Sequence, residues 1–181
     1  MTVIYDPLLD GIEHINVYTK GATPIGRMLT NLATSNVKSL VDWNGNISNY
    51  NSLEGYWYWL KISRYRPDLK SVQIELSNAS GFDAKKIGKK ALKNFDIESP
   101  IDSDFIVKFR AAIRLRIRQD KRLLFLLNVS TLPFCHYYYF GEKNNPKVIP
   151  LEQYNWIMEE IELCRTLLQE VVRKRGETLS S

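Results

Sequence analysis

The residues best equipped for chemistry lie in residues 51–63, NSLEGYWYWLKIS, where Glu54 stands at the edge of four large aromatics, Tyr56, Trp57, Tyr58 and Trp59. A helix of this composition is buried around most of its circumference and keeps few polar tips. At helical spacing Glu54, Tyr58 and Lys61 share one face, so a carboxylate, a phenol and an ammonium come within reach of a single polar ligand. The same residues support a plainer role. Asn51 followed three positions later by Glu54 has the form of a capping box, in which the carboxylate bonds back to the Asn51 backbone amide. A second polar pair, Arg27 and Asn31, lies off the apolar face of Ile25 to Leu32, whose Ile25, Met28, Leu29 and Leu32 recur at helical spacing.

Charge points elsewhere. The net charge of +5 comes from one stretch, Phe105 to Arg122, which holds seven basic residues and one acid. Its arginines Arg110, Arg114, Arg118 and Arg122 recur every fourth residue, beside a core stripe of Ile106, Phe109, Ile113 and Ile117. Guanidinium forks at that spacing suit successive phosphates of DNA or RNA, and they equally suit an ordinary solvated helix face. Cys135 and His136 are adjacent, but neighbours on a strand point to opposite faces, so they make no nucleophile and base pair. Cys135 and Cys164 are expected to be reduced, buried thiols. With only His14 and His136 in the chain, a zinc or iron site of the usual kind lacks ligands, and neither metal nor cofactor is expected.

The elements that must position these residues follow from pattern and punctuation. His14 to Thr19 alternates like a short strand, ended by Lys20, Gly21 and Pro24. Val37 to Trp43 and Asn46 to Tyr50 flank Asn44 and Gly45, the dipeptide of a two-residue hairpin turn, and lead into the aromatic helix. Pro67 ends that helix near Arg66. Phe82 to Lys93 reads as a short basic helix that Asp83 can cap, and residues 94–103 as a surface connection. Asp104 opens the basic helix, Leu123 to Leu127 runs into the core, and Leu132 to Phe140 is an extended aromatic segment followed by a loop at Gly141, Asn144, Asn145 and Pro146. Pro150 fits the first turn of a last helix with the core stripe Tyr154, Met158, Ile161, Leu168 and Val171. A chain of 181 residues, 44% hydrophobic, is enough for one cored domain. It lacks an apolar run of membrane-spanning length, and its start has neither basic leader nor apolar block, so a soluble, cytoplasmic protein is expected.

Several of these stretches, in this order, resemble the NADAR family, also called YbiA-like, of small N-glycosidases that act on ribosylated compounds of NAD and ADP-ribose metabolism. VYTKGATPIGRMLTNLA is similar to its opening strand, glycine and serine-asparagine-phenylalanine motif, with Thr30, Asn31 and Leu32 at the last three places. WNGNISNYNSLEGYWYW resembles its hairpin and the glutamate motif that follows, which sets Glu54 on the family's catalytic glutamate. DAKKIGKK resembles its alanine and glycine-arginine helix, with Gly88 and Lys89 at the last two places. YYYFGEKN falls on its tyrosine, tryptophan, glycine, aspartate motif, and LEQYNWIMEEIELCRTLL on its closing helix. Three departures stand near the chemistry: Gly55 replaces a histidine, Glu142 stands where the family has a catalytic aspartate, and a tryptophan before the long helix is missing.

The resemblance implies an α+β fold, a single compact domain over residues 1–175, mostly helical with a small antiparallel sheet, and a frayed tail at 176–181. It implies metal-independent hydrolysis of the bond between an ADP-ribosyl group and a nucleobase. Glu54 and Glu142 would be the acids, Arg27 or the basic helix would hold the diphosphate, and Asn31, Tyr58, Lys61, Tyr139 and Phe140 would contact the ligand. Family members that remove ADP-ribose from guanine in nucleic acid make Arg110, Arg114 and Arg118 candidate phosphate contacts. The alternative is a catalytically altered relative that binds nucleic acid or an ADP-ribose-type nucleotide.

Overall fold

The computed structural model describes residues 5–142 and 145–179. In chain order the elements are β1 (Ile15–Asn16), α1 (Pro24–Leu29), β2 (Val37–Val41), β3 (Ile47–Tyr50), α2 (Leu53–Ser63), α3 (Lys70–Asn78), α4 (Gly81–Asn94), α5 (Ser103–Gln119), α6 (Lys121–Val129), β4 (Phe134–Cys135), β5 (Tyr137–Glu142), β6 (Asn145–Pro150) and α7 (Asn155–Leu179). The architecture is α+β and mostly helical, with small antiparallel pairs β2–β3 and β5–β6 and one short parallel pair, β1–β4. The chain divides into two compact units, one of Asn31–Gln119 and one built from the two flanking segments, through Thr30 and from Asp120 onward.

In the Asn31–Gln119 unit α2 is the centre. Leu53, Tyr56, Trp57, Tyr58, Trp59, Leu60 and Ile62 are all buried, the all-round burial its composition predicts. Trp57 meets Phe105 and Phe109 edge-on, with ring centroids 4.7 and 4.9 Å away. Small residues let the neighbouring helices close in. Ala84, Gly88 and Ala91 are the buried face of α4, and a Cβ at Gly88 would lie 2.0 Å from Cγ of Tyr58. A Cβ at Gly55 would lie 2.3 Å from the Leu76 carbonyl oxygen. The position that carries histidine in the resembled family therefore has no room here for any side chain. α5 presents Phe105, Phe109, Ala112, Ile113 and Ile117 inward, close to the expected stripe, with Ile106 only half-buried. It is opened by Asp102, not Asp104: the Asp102 carboxylate accepts from the Phe105 amide at 2.9 Å and from Arg64 at 2.5 Å.

The β2–β3 turn is wider than the expected two residues. Val41 pairs with Ile47, the Asp42 amide donates to the Asn46 carbonyl at 3.0 Å, and Gly45 takes a left-handed φ of 79°. Asp42 is the reason. Its buried carboxylate accepts from the Asn44 and Asn46 amides, the Asn46 side chain and the Trp59 indole, which fixes the turn onto α2. Burial alone would raise its pKa, but these hydrogen bonds outweigh it and hold the group below the usual carboxylate range.

In the other unit the β1 strand is only Ile15–Asn16, paired in parallel with Phe134–Cys135, shorter than the expected run to Thr19. Asn16 extends the pairing by side chain, giving and taking hydrogen bonds of 3.2 Å with the Tyr137 backbone. β5 and β6 form a regular hairpin, so Asn145 and Pro146 lie in a strand rather than in the expected loop; Asn144 lies outside the described residues. Pro150 ends β6, and the last helix starts five residues later at Asn155. α7 buries Ile157, Met158 and Ile161, half-buries Leu168 and leaves Val171 exposed. Its Arg165 donates to the Leu132 carbonyl and pairs with Glu162, whose other oxygen accepts from the Phe134 amide. The basic stretch is two helices rather than one. Asp120 caps α6 by accepting from the Arg122 and Leu123 amides, so Arg122 belongs to a new helix and leaves the four-residue series.

Candidate functional site

Glu54 sits in the first turn of α2, and the capping box does not form. Ser52 caps the helix, its hydroxyl accepting from the Gly55 amide at 3.2 Å. The Asn51 amide donates instead to the Ser77 carbonyl, and the Asn51 side chain to the Asn78 carbonyl, so the end of α3 takes the donors a capping glutamate would have served. Glu54's own amide donates to the Asn31 carbonyl at 2.8 Å, which puts the backbone of the predicted ligand residue Asn31 beside the start of α2.

That leaves the Glu54 carboxylate half-buried and, among the described residues, without a side-chain hydrogen bond or ion pair. Burial raises its pKa, and the positive charges of Lys85, Lys89 and Lys61 pull against that rise. Lys61 is half-buried, with its ammonium 5.6 Å from the Trp57 ring centroid; burial lowers its pKa and the Glu54 charge opposes that. Tyr58 is buried, its ring seated where Gly88 leaves space. A carboxyl held partly from water, raised in pKa and attended by cations at a distance, is suited to take up and release a proton or to meet a developing positive charge.

Two members of this group, Lys85 and Lys89 of α4, were not among the residues singled out by sequence as ligand contacts. Their spacing of four beside Ala84 and Gly88 was the available signal: the small residues bring α4 against α2, and the lysines next to them ride along.

The remaining predicted residues belong to other surroundings. The Arg27 guanidinium donates to the Gly21 and Ala22 carbonyls at 2.6 and 2.8 Å and so braces its own loop. The Tyr139 hydroxyl donates to the Lys20 carbonyl at 3.0 Å. Phe140 is exposed, with the ammonium of its cross-strand partner Lys147 5.7 Å from its ring centroid. Glu142 ends β5, and its side chain lies outside the described residues. On α5, Arg114 and Arg118 are exposed whereas Arg110 is half-buried, its Nε shielded from water.

Cys135 is buried and its Sγ approaches the Ile15 carbonyl; burial pushes its thiol up to about 12, so it is protonated at neutral pH and supplies no nucleophile. Cys164 is half-buried rather than buried, and neither cysteine is in a disulfide. Among the described residues no group of three or more histidine, cysteine or acidic side chains is arranged to hold a metal ion, and no helix is long and apolar enough to cross a membrane. Compared with known proteins, the chain matches no family model, no curated protein and no solved structure.

Proposed function

We propose that this chain is a metal-independent N-glycosidase that hydrolyses the bond between a ribosyl or ADP-ribosyl group and a nucleobase, with Glu54 as the catalytic carboxylate. The observation that carries the reading is the state of Glu54: raised in pKa by burial, released from capping by Ser52, and surrounded at a distance by Lys61, Lys85 and Lys89. As the bond from the anomeric carbon to the base nitrogen breaks, positive charge develops on the sugar and the electron pair leaves with the base. A carboxylate at that carbon stabilises the charge and accepts a proton from the attacking water, whose hydroxyl bonds to the anomeric carbon. The departing base nitrogen takes up a proton from solvent, and Glu54 returns its own to solvent, so that one water is consumed in all. The lysines suit the diphosphate of an ADP-ribosyl group. A cytoplasmic setting fits two cysteines outside any disulfide.

Glu54→Gln removes the charge and keeps the shape. Hydrolysis of an ADP-ribosylated nucleobase, followed by chromatographic release of the base, is expected to fall about a thousandfold, within the range of a lost acid–base group. Undiminished turnover in that variant ends the assignment.

The exposed Arg114 and Arg118 support a nucleic-acid form of the substrate. Replacing both with glutamine is expected to weaken binding of an ADP-ribosylated oligonucleotide and to reduce its salt slope by roughly two, about one per lost phosphate contact. Turnover of a free ribosylated nucleotide is expected to be unchanged. An unaltered salt slope makes these arginines an ordinary wet face and leaves the free nucleotide as substrate.

A second reading, a relative that binds an ADP-ribose-type nucleotide or nucleic acid without cleaving it, is favoured by Gly55, whose closeness to the Leu76 carbonyl leaves no place for the family's histidine. Tight binding of ADP-ribose by the wild-type chain with no base release decides for it.

A further inference from the structure

The N-terminal stretch from Tyr5 to Glu13 is attached to its unit in an unusual way. Its single helical turn, Pro7–Leu9, buries no residue, and its large aliphatics Leu8 and Ile12 are 52% and 66% exposed. Apolar burial therefore does not hold it. What joins it to β5 is a small polar and aromatic cluster. The His14 Nε2 lies 2.8 Å from the Tyr137 hydroxyl, and both residues are buried. The Tyr5 ring stacks on Tyr137 at 5.2 Å and leans on His14 at 5.4 Å. Asp10 ties the other end of the stretch by accepting from the Asn16 and Ala22 amides, and the Gly11 amide bonds the His14 carbonyl.

We propose that His14 and Tyr137 form an acid-released latch that fastens residues 5–13 to β5 and lets them go when the imidazole takes up a proton. A neutral imidazole satisfies the bond to Tyr137 in either direction, because one ring nitrogen donates and the other accepts. The imidazolium only donates, and it would sit as a charge against two aromatic rings in a largely buried site. The groups facing it are Asp10, Glu13 and Asp6 on its own segment, whose charges favour protonation, and Tyr137 and Tyr5, which carry none at neutral pH; Cys135, near Tyr5 and Tyr137, is a protonated thiol. Burial is the larger influence and holds the His14 pKa below its ordinary value despite the acids. For a base so depressed, the latch is fully closed above the ordinary histidine value and loosens as pH falls below it towards the folded value.

Hydrogen-exchange protection of the Gly11 and Asn16 amides, corrected for the intrinsic effect of pH, reads the latch directly. Between pH about 7.5 and about 5, wild-type protection is expected to fall by up to about tenfold for each pH unit below the ordinary histidine value, until His14 itself titrates in the folded chain. NMR titration of the His14 ring should give a midpoint below its ordinary value. Tyr137→Phe, which keeps the stacking and removes the bond, is expected to lower protection already at pH about 7.5. His14→Phe and His14→Gln are expected to show no fall with pH. Flat protection in the wild type, an ordinary His14 midpoint, or an equal fall in the two His14 variants overturns the proposal, the last by assigning the effect to the acids.

Discussion

Asp42 and Glu54 are carboxylates of the same unit, both withdrawn from water, and their proton affinities move in opposite directions. Asp42 lies at a turn whose backbone and side chains converge on it, and its hydrogen bonds more than offset the cost of burial. Glu54 is given no such partners: Ser52 takes the capping duty, the end of α3 takes the Asn51 donors, and three lysines act only at a distance. Desolvation is common to both, so the difference is hydrogen bonding to the charged form. The first carboxylate is consumed in building the fold. The second is left without hydrogen-bond partners among the described residues, and the fold carries the cost of its burial.

Asp42→Ala gives the largest expected effect on stability. It removes the acceptor of the Asn44 and Asn46 amides and strands the buried Trp59 indole, and urea denaturation is expected to report a loss of about 3 kcal/mol. A loss near zero would break the contrast at its structural end. The acid dependence has a definite sign. Asp42's stabilisation is present above the ordinary carboxylate value and is lost as pH falls through its lower folded value, so Asp42→Asn should remove that part of the acid transition.

Gly55→Ala tests whether the opening of α2 is as tightly set as the Leu76 contact requires. The new methyl must push α2 from the end of α3, at a cost of about 2 kcal/mol in the same assay. A neutral result would show slack beside Glu54.

The smallest effect belongs to Glu54→Gln read as stability rather than turnover. A glutamate whose folded pKa is raised contributes stability that is full below its ordinary value and lost as pH rises through the raised one. At pH 7 the variant should therefore melt at or slightly above the wild-type temperature, with the difference closing towards pH 4. A variant less stable at pH 7 would mean that the charge of Glu54 supports the fold, which would place it with Asp42.

The aromatic run of α2, the inward stripe Phe109, Ile113 and Ile117 and the strands of the β2–β3 hairpin follow from periodicity and turn residues, which act between near neighbours. The width of that hairpin's turn does not, because Asn44 and Gly45 suit two residues while Asp42 and Trp59 draw in more. Pro150 satisfies a first helical turn and an edge of strand equally well, and only pairing with Tyr137 decides for the strand. In the sequence Asp120 is one acid among seven bases, whereas its role as a cap depends on the backbone turning there.

For the candidate site, sequence alone determined that Glu54 lies at the head of a helix that must be buried, because composition and spacing require it. Only the tertiary structure decided whether that carboxylate was spent on a cap, since the competing donors and acceptors come from Ser77, Asn78 and Asn31. It also brought in Lys85 and Lys89, because the approach of α4 to α2 through Gly88 is a packing event between residues far apart in the chain. A one-dimensional pattern fixes which face of an element is apolar, and the partner of that face is settled by shape and hydrogen-bond competition in three dimensions.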